Sequence, residues 1–139
     1  MKKEYFNPQG IAEPRGYTHV VKVTGPGSLV CISGQVPLDG KGEIVGRGDI
    51  EKQVRQVFTN LETALASAGA GFKDVVKMTT YMLNIAGGLD TYRKVRLEYL
   101  GNAQTPANTL IEVKRLANLD YLIEIEAIAA QDQTPVDRC

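Results

Sequence analysis

The chain has no tryptophan, one histidine, two cysteines and no excess of either charge, its 16 Lys and Arg matching its 16 Asp and Glu. Each shortage excludes something. One histidine without a Cys/His cluster leaves no ligand set for zinc, so no metal site and no cofactor is expected. The lone His19 lies in a strand-like run beside Tyr17 and reads as an ordinary strand residue near a possible cleft. Cys31, in the apolar run Leu29-Val30-Cys31-Ile32, reads as a small buried hydrophobe. Cys139 is the last residue and reads as mobile, so the two cysteines make no disulfide framework. A net charge of zero and a pI near 6.6 give no electrostatic basis for holding nucleic acid. No apolar stretch approaches the roughly 20 residues that a membrane span needs. No apolar run follows the basic residues of Met1-Lys2-Lys3, which argues against a signal peptide and makes the cytoplasm the expected location.

What is present is ordinary for one globular domain: 139 residues, 43% apolar and 23% charged. A chain of this length buries roughly 65–70% of its unfolded surface and needs no staple. Residues 1–130 are expected to form the domain and 131–139 a flexible polar tail. Residues 18–23 and 29–33 read as strands joined by a turn at Gly25-Pro26-Gly27-Ser28, and Asp39-Gly40-Lys41-Gly42 reads as a second turn. The spacing of Ile50, Val54, Val57, Phe58, Leu61 and Leu65 predicts a helix over 49–68, with Asp49 as N-cap and Gly69 just past its end. Alternation predicts a strand over 74–83, with Val76, Met78 and Met82 facing one way and Lys77, Thr79 and Tyr81 the other. A second helix is expected over 89–100, burying Leu89, Tyr92, Val95 and Tyr99, with Gly101 ending it. Final strands are expected over 107–114 and 122–129.

That order predicts an α+β domain, two helices covering one face of a mixed sheet of about six strands. The other face would be open. Period-two alternation alone puts Asn108, Leu110 and Glu112 there, together with Leu122, Glu124, Glu126 and Ile128. A mixture of aliphatic side chains and carboxylates suits a subunit interface better than a solvated face.

Three segments carry a resemblance: Ser33-Gly34-Gln35-Val36-Pro37, Pro106-Ala107-Asn108-Thr109 and Glu124-Ile125-Glu126-Ala127-Ile128-Ala129, with Gly16-Tyr17 at an early aromatic position. In this order and spacing they resemble the Rid family (reactive intermediate deaminases, or YjgF proteins). The resemblance implies a chorismate-mutase-like fold and a homotrimer with ligand sites in clefts between subunits. It also implies hydrolysis of small enamines and imines to 2-oxo acids and ammonia. Glu124 would hold the attacking water, Tyr17 would close the pocket, and Gly34, residue 108 and Leu110 would bind the substrate.

The residue after Pro-Ala is usually a carboxylate-gripping arginine in that family, and here it is Asn108. Asparagine offers at most two neutral N–H donors and an acceptor, where arginine offers a charged fork. A charged hydrogen bond contributes roughly 1.5–3 kcal/mol, so its absence weakens carboxylate binding about 10- to 150-fold. Arg115, at an odd offset from 108, falls on the opposite side of the strand. Three readings stay open on the sequence: a hydrolase with altered recognition, a non-catalytic small-molecule-binding trimer, and, disfavoured by the charge balance, an endoribonuclease.

Overall fold

The computed structural model describes residues 1–102 and 104–133. Cys139 and most of the expected tail lie outside the described residues. In chain order the elements are β1 (Lys2–Phe6), β2 (Val20–Thr24), β3 (Gly27–Gln35), α1 (Ile50–Ser67), β4 (Val75–Met82), α2 (Ile85–Leu100), β5 (Ala107–Glu112) and β6 (Ile123–Asp132). The fold is α+β with six strands and two helices, as expected. The strands divide into an antiparallel pair, β1 with β2, and a four-stranded mixed sheet in the order β3-β6-β4-β5.

Helix α1 begins and ends where its residues dictate. The Asp49 side chain accepts a hydrogen bond from the Lys52 N–H at 3.0 Å, and Gly69 takes a positive φ of 72° beyond the last turn. Its stripe of Val54, Val57, Phe58, Leu61 and Leu65 is wholly buried against the sheet. Helix α2 starts four residues earlier than the spacing suggests. Gly87 and Gly88 are poor helix formers, but Asn84 caps the helix through the Gly87 N–H at 3.0 Å. Gly88 sits where an added Cβ would come within 3.3 Å of Ile50 Cγ1. Close packing of the helix start against α1 thus outweighs propensity. Tyr92 and Val95 are buried as expected, and Leu89 and Tyr99 pack at the core's edge.

β1 escaped the sequence reading because Lys2-Lys3-Glu4-Tyr5-Phe6 has no clear alternation of burial. It is held by pairing with β2, by Lys3 on Asp74, and by the terminal ammonium on Asp132. β6 runs three residues past its expected end, so Gln131 and Asp132 belong to a strand rather than to a tail.

β4 fixes the sidedness of the sheet. It pairs antiparallel with β6, setting Tyr81 opposite Glu124 and Thr79 opposite Glu126, and parallel with β5, setting Met78 opposite Asn108 and Thr80 opposite Leu110. Met78, Thr80 and Met82 are buried under the helices. Asn108, Leu110 and Glu112 therefore lie on the helix-facing side, which corrects the expectation that they share the open face with Glu124 and Glu126. Alternation sorts residues within one strand but does not relate two strands; only their register does. The open face instead carries Cys31, Lys77, Thr79, Tyr81, Thr109, Glu124, Glu126 and Ile128. Cys31 is exposed rather than buried, because it pairs with Ile128 while its neighbours Val30 and Ile32 turn inward. Leu122 precedes β6 and borders a cleft with Ile50, Asn84 and Gly88 instead of joining the open face.

The connection into β6 is tied down by a buried amide. Gln53, fully enclosed on α1, donates to Gly46 O at 3.0 Å and Asp120 O at 2.9 Å, and accepts from the Leu122 N–H at 2.8 Å. Gln53→Ala strands three backbone groups at once. It is expected to cost about 2–4 kcal/mol in a urea unfolding experiment, whereas Gln56→Ala on the same helix costs under about 1.5 kcal/mol.

Candidate active site

The expected site residues fall into two groups. The first lies on the open sheet face. β3 shifts register between Ile32 and Gln35, a bulge that brings Gly34 against Glu124 of β6. A Cβ on Gly34 would meet the Glu124 carboxylate, with Cδ only 2.8 Å away. Glycine here is a matter of space, since any side chain would displace the carboxylate.

Glu124 is half-buried, and no side chain among the described residues hydrogen-bonds or ion-pairs with it. Burial raises its carboxyl above the usual carboxylate range, and the neighbouring Glu126 charge adds to the effect. Glu126 is engaged differently, accepting a hydrogen bond from the Tyr81 hydroxyl at 2.9 Å. That bond is the main cause of a raised Tyr81 pKa. Of the two carboxylates, Glu126 is occupied by its own protein and Glu124 is available.

The second group lies around the start of β5. The Thr18 N–H donates to Pro106 O at 3.2 Å and the Thr18 and Thr105 hydroxyls lie 3.3 Å apart, which ties the Gly16-Tyr17 loop to Pro106-Ala107-Asn108. Tyr17 is half-buried and packs edge-on against His19, ring centroids 5.3 Å apart. His19 lies just before β2, its ring Nε2 2.7 Å from Ala12 O, so a local contact to the loop occupies it. Asn108 borders a cavity of about 470 Å³ between β5 and α2, with Gly16 on its far wall. Its Oδ1 is buried without a hydrogen-bond partner. Leu110 packs its side chain onto the core.

Within one chain the two groups stay apart. Glu124 and Asn108 project from opposite faces of the sheet, on strands separated by β4 and offset by three residues along it, so their backbones are about 14 Å apart before the side chains diverge. Tyr17 lines a different hollow from Gly34 and Glu124. Sequence reasoning missed the arginines Arg15, Arg93 and Arg96 that border the Asn108 cavity. The only signal for the latter two was their three-residue spacing on a helix.

Two measurements check the Gly34–Glu124 contact. Gly34→Ala is expected to destabilise the native protein but to be close to neutral in a Glu124→Ala background, a coupling of about 1 kcal/mol in denaturant titrations. The raised Glu124 pKa fixes the sign of a pH effect. The folded state bears a cost when this carboxyl is ionised, so its favourable contribution is present at low pH and lost as pH rises through the folded pKa. Glu124→Gln is therefore expected to melt above the native protein at about pH 7.5, with the gap closing towards about pH 4.

Residues 9–131 match the profile of the family described as Endoribonuclease L-PSP. A RutC family protein of Pyrococcus abyssi is 38% identical over 134 residues, covering 95% of this chain and 100% of that protein. A 2-iminobutanoate/2-iminopropanoate deaminase of Salmonella typhimurium is 38% identical over 108 residues, covering 76% of this chain and 81% of that one. Among solved structures, a protein of unknown function from the Rid family of Yersinia pestis superposes with a TM-score of 0.85 at 35% identity, covering 94% of this chain and 100% of that one. With the family profile matched over most of its length and with relatives and a solved structure similar along nearly the whole chain, the chain belongs to the Rid (YjgF, L-PSP) family.

Proposed function

We propose that the protein hydrolyses a small 2-imino or 2-enamino acid to the 2-oxo acid and ammonia, in a cleft shared by two copies of the chain. The observation that carries this reading is Glu124: a half-buried carboxylate without a side-chain partner among the described residues, pressed against a glycine. Its raised pKa makes it a better hydrogen-bond and proton acceptor than a free glutamate. The missing side chain at Gly34 is what lets the carboxylate sit where it does.

The chemistry asks little of the protein. Glu124 accepts a hydrogen bond from a water and aims its oxygen at the C=N carbon. As the C–O bond forms, the water's proton passes through the carboxylate to the nitrogen. The resulting carbinolamine loses ammonia as the C=O bond forms, and the carboxylate is regenerated. An enamine first takes a proton at carbon to become the imine. Tyr17 closes the pocket, and the β5 end, where Asn108 replaces a charged fork, receives the substrate carboxylate.

Sheet sidedness supplies the argument for two copies. Glu124 and Asn108 diverge from opposite faces of one sheet, so a single small substrate touches both only if they come from different chains. The open face, with Cys31, Tyr81 and Ile128 among its carboxylates, has the mixed character of such a junction. A homotrimer, the arrangement the family resemblance implies, provides that geometry.

A non-catalytic binder on the same scaffold is the competing reading, favoured by the neutral side chain at 108. Ribonuclease action is disfavoured by the balanced charge. Ammonia and 2-oxobutanoate release from 2-iminobutanoate generated in situ decides between the first two. The native protein is expected to be active and Glu124→Ala to lose about 10²- to 10⁴-fold. Asn108→Asp, which sets a like charge against the substrate carboxylate, is expected to be similarly weak. Co-refolding these two variants in equal amounts should restore about a quarter of native activity, because about a quarter of the junctions then combine two intact halves. Native protein no faster than buffer rejects the hydrolase and leaves the binder; a mixture no better than its components rejects the shared cleft.

A further inference from the structure

The cavity between β5 and α2 is lined by the apolar Met78, Leu97, Leu100 and Pro106 and by Arg15, Arg93 and Arg96. Its charge is unbalanced. Elsewhere on α2 the charges are matched across to α1: Lys94 lies 3.2 Å from Glu51, and Glu98 lies 2.6 Å from Arg55, which also holds Glu51 at 2.9 Å. Among the described residues no carboxylate pairs with Arg15, Arg93 or Arg96. Three guanidinium groups around one hollow repel each other unless an anion enters.

Arg96 is the best placed of the three. It is half-buried, its guanidinium lies 5.3 Å from the Tyr92 ring centroid, and it rests against Gly16, whose missing side chain leaves space for it. Ring and loop hold the fork in position without consuming its donors. The buried Asn108 Oδ1 is a second unmet demand on the same cavity. A buried acceptor without a partner costs free energy until a donor arrives. Rotating the amide by a half-turn exchanges which polar atom is enclosed and leaves one unmet either way.

We propose that this cavity holds the carboxylate end of a small organic acid. The guanidinium of Arg96, reinforced by Arg93 and Arg15, supplies the charge that Asn108 lacks. Asn108 pairs with a neutral N–H or O–H group next to the carboxylate, and the short carbon chain lies on Leu97 and Leu100. The clamp has moved from strand to helix, so the substitution at 108 alters the selectivity of the site rather than emptying it. The selectivity is for acids with a polar hydrogen on the adjacent carbon's substituent, as an imine or carbinolamine has and a simple carboxylate lacks. The choice of an imino acid, or of the carbinolamine formed from it, as occupant rests on the hydrolase reading above; the choice of an anion rests on the arginines alone.

The test is calorimetric titration of 2-hydroxybutanoate and its neutral amide, 2-hydroxybutanamide, each with a hydroxyl on the adjacent carbon, into the native protein and Arg96→Gln. The native protein is expected to prefer the acid by at least about tenfold. Arg96→Gln is expected to weaken the acid about 10- to 150-fold while leaving the amide unchanged, and Arg96→Lys to recover part of the loss. A merely structural Arg96 would weaken both ligands equally. If Arg96→Gln fails to fold, the exposed Arg93→Gln takes its place, with an expected loss of about threefold to tenfold for the acid alone. Equal affinity of the native protein for acid and amide, or an unchanged acid affinity in the variant, overturns the proposal. Ammonia release is not read here, so the two readings fail separately. Native protein that holds the acid without turning over the imine keeps the cavity and rejects the hydrolase. Active protein whose acid affinity ignores Arg96 does the reverse.

Discussion

The placement of β4 between an antiparallel and a parallel neighbour is the constraint on which the rest depends. Its pairing with β6 sends Glu124 and Glu126 to the open face, and its pairing with β5 sends Asn108 and Leu110 under the helices. A slip of one residue in the β6 ladder would bury carboxylates in the apolar core, and a slip in the β5 ladder would turn Leu110 away from it, each at a cost that a domain of this size cannot readily absorb. The register is therefore strongly enforced, and so is the separation of the two halves of the candidate site. The proposal of a cleft shared by two chains follows from that enforcement.

A net charge of zero conceals an uneven distribution. Between the two helices the charges are consumed in a surface network of Glu51, Arg55, Lys94 and Glu98, in which the Glu51 carboxyl is held below its usual range chiefly by its hydrogen bond to Arg55. Exposed pairs of this kind contribute little to stability, and they leave little free charge on that face. On the flank of α2 that meets β5 the cationic charge stays available. At Gly34 the imbalance is of the opposite sign: a carboxylate is held half out of water beside another carboxylate. Both places carry an electrostatic cost that the fold itself does not relieve, and both lie on the faces where the two half-sites are argued to meet ligand.

Some features were legible because they depend on residues close in sequence. Asp49 and Gly69 bound α1, and the stripe from Val54 to Leu65 faces the sheet. Gly34, Glu124, Asn108 and Tyr17 stood out through motifs whose order is a property of the chain. Other features depend on which strands become neighbours. Cys31 looked buried by its local company, yet its ladder partner is Ile128 on the open face. The second helix looked as if it began at Leu89, yet it starts at Ile85, with Gly88 in close contact with Ile50 of α1. Asn108 and Glu124 looked coplanar, because alternation has no origin until two strands are paired. Arg93 and Arg96 were indistinguishable from a solvated helix face until β5 and the Gly16 loop enclosed them.

The sequence by itself determined most of the elements and the family, and it singled out candidate site residues, because helix stripes, caps and motifs are written in spacings of a few residues. Only the tertiary structure decided on which side of the sheet each of those residues lies, that Glu124 has no side-chain partner among the described residues, and that a cationic cavity opens beside Asn108. Those facts follow from register and from contacts between segments tens of residues apart. The free energy that selects them is the burial of one face of each strand under α1 and α2, which no short window of sequence contains.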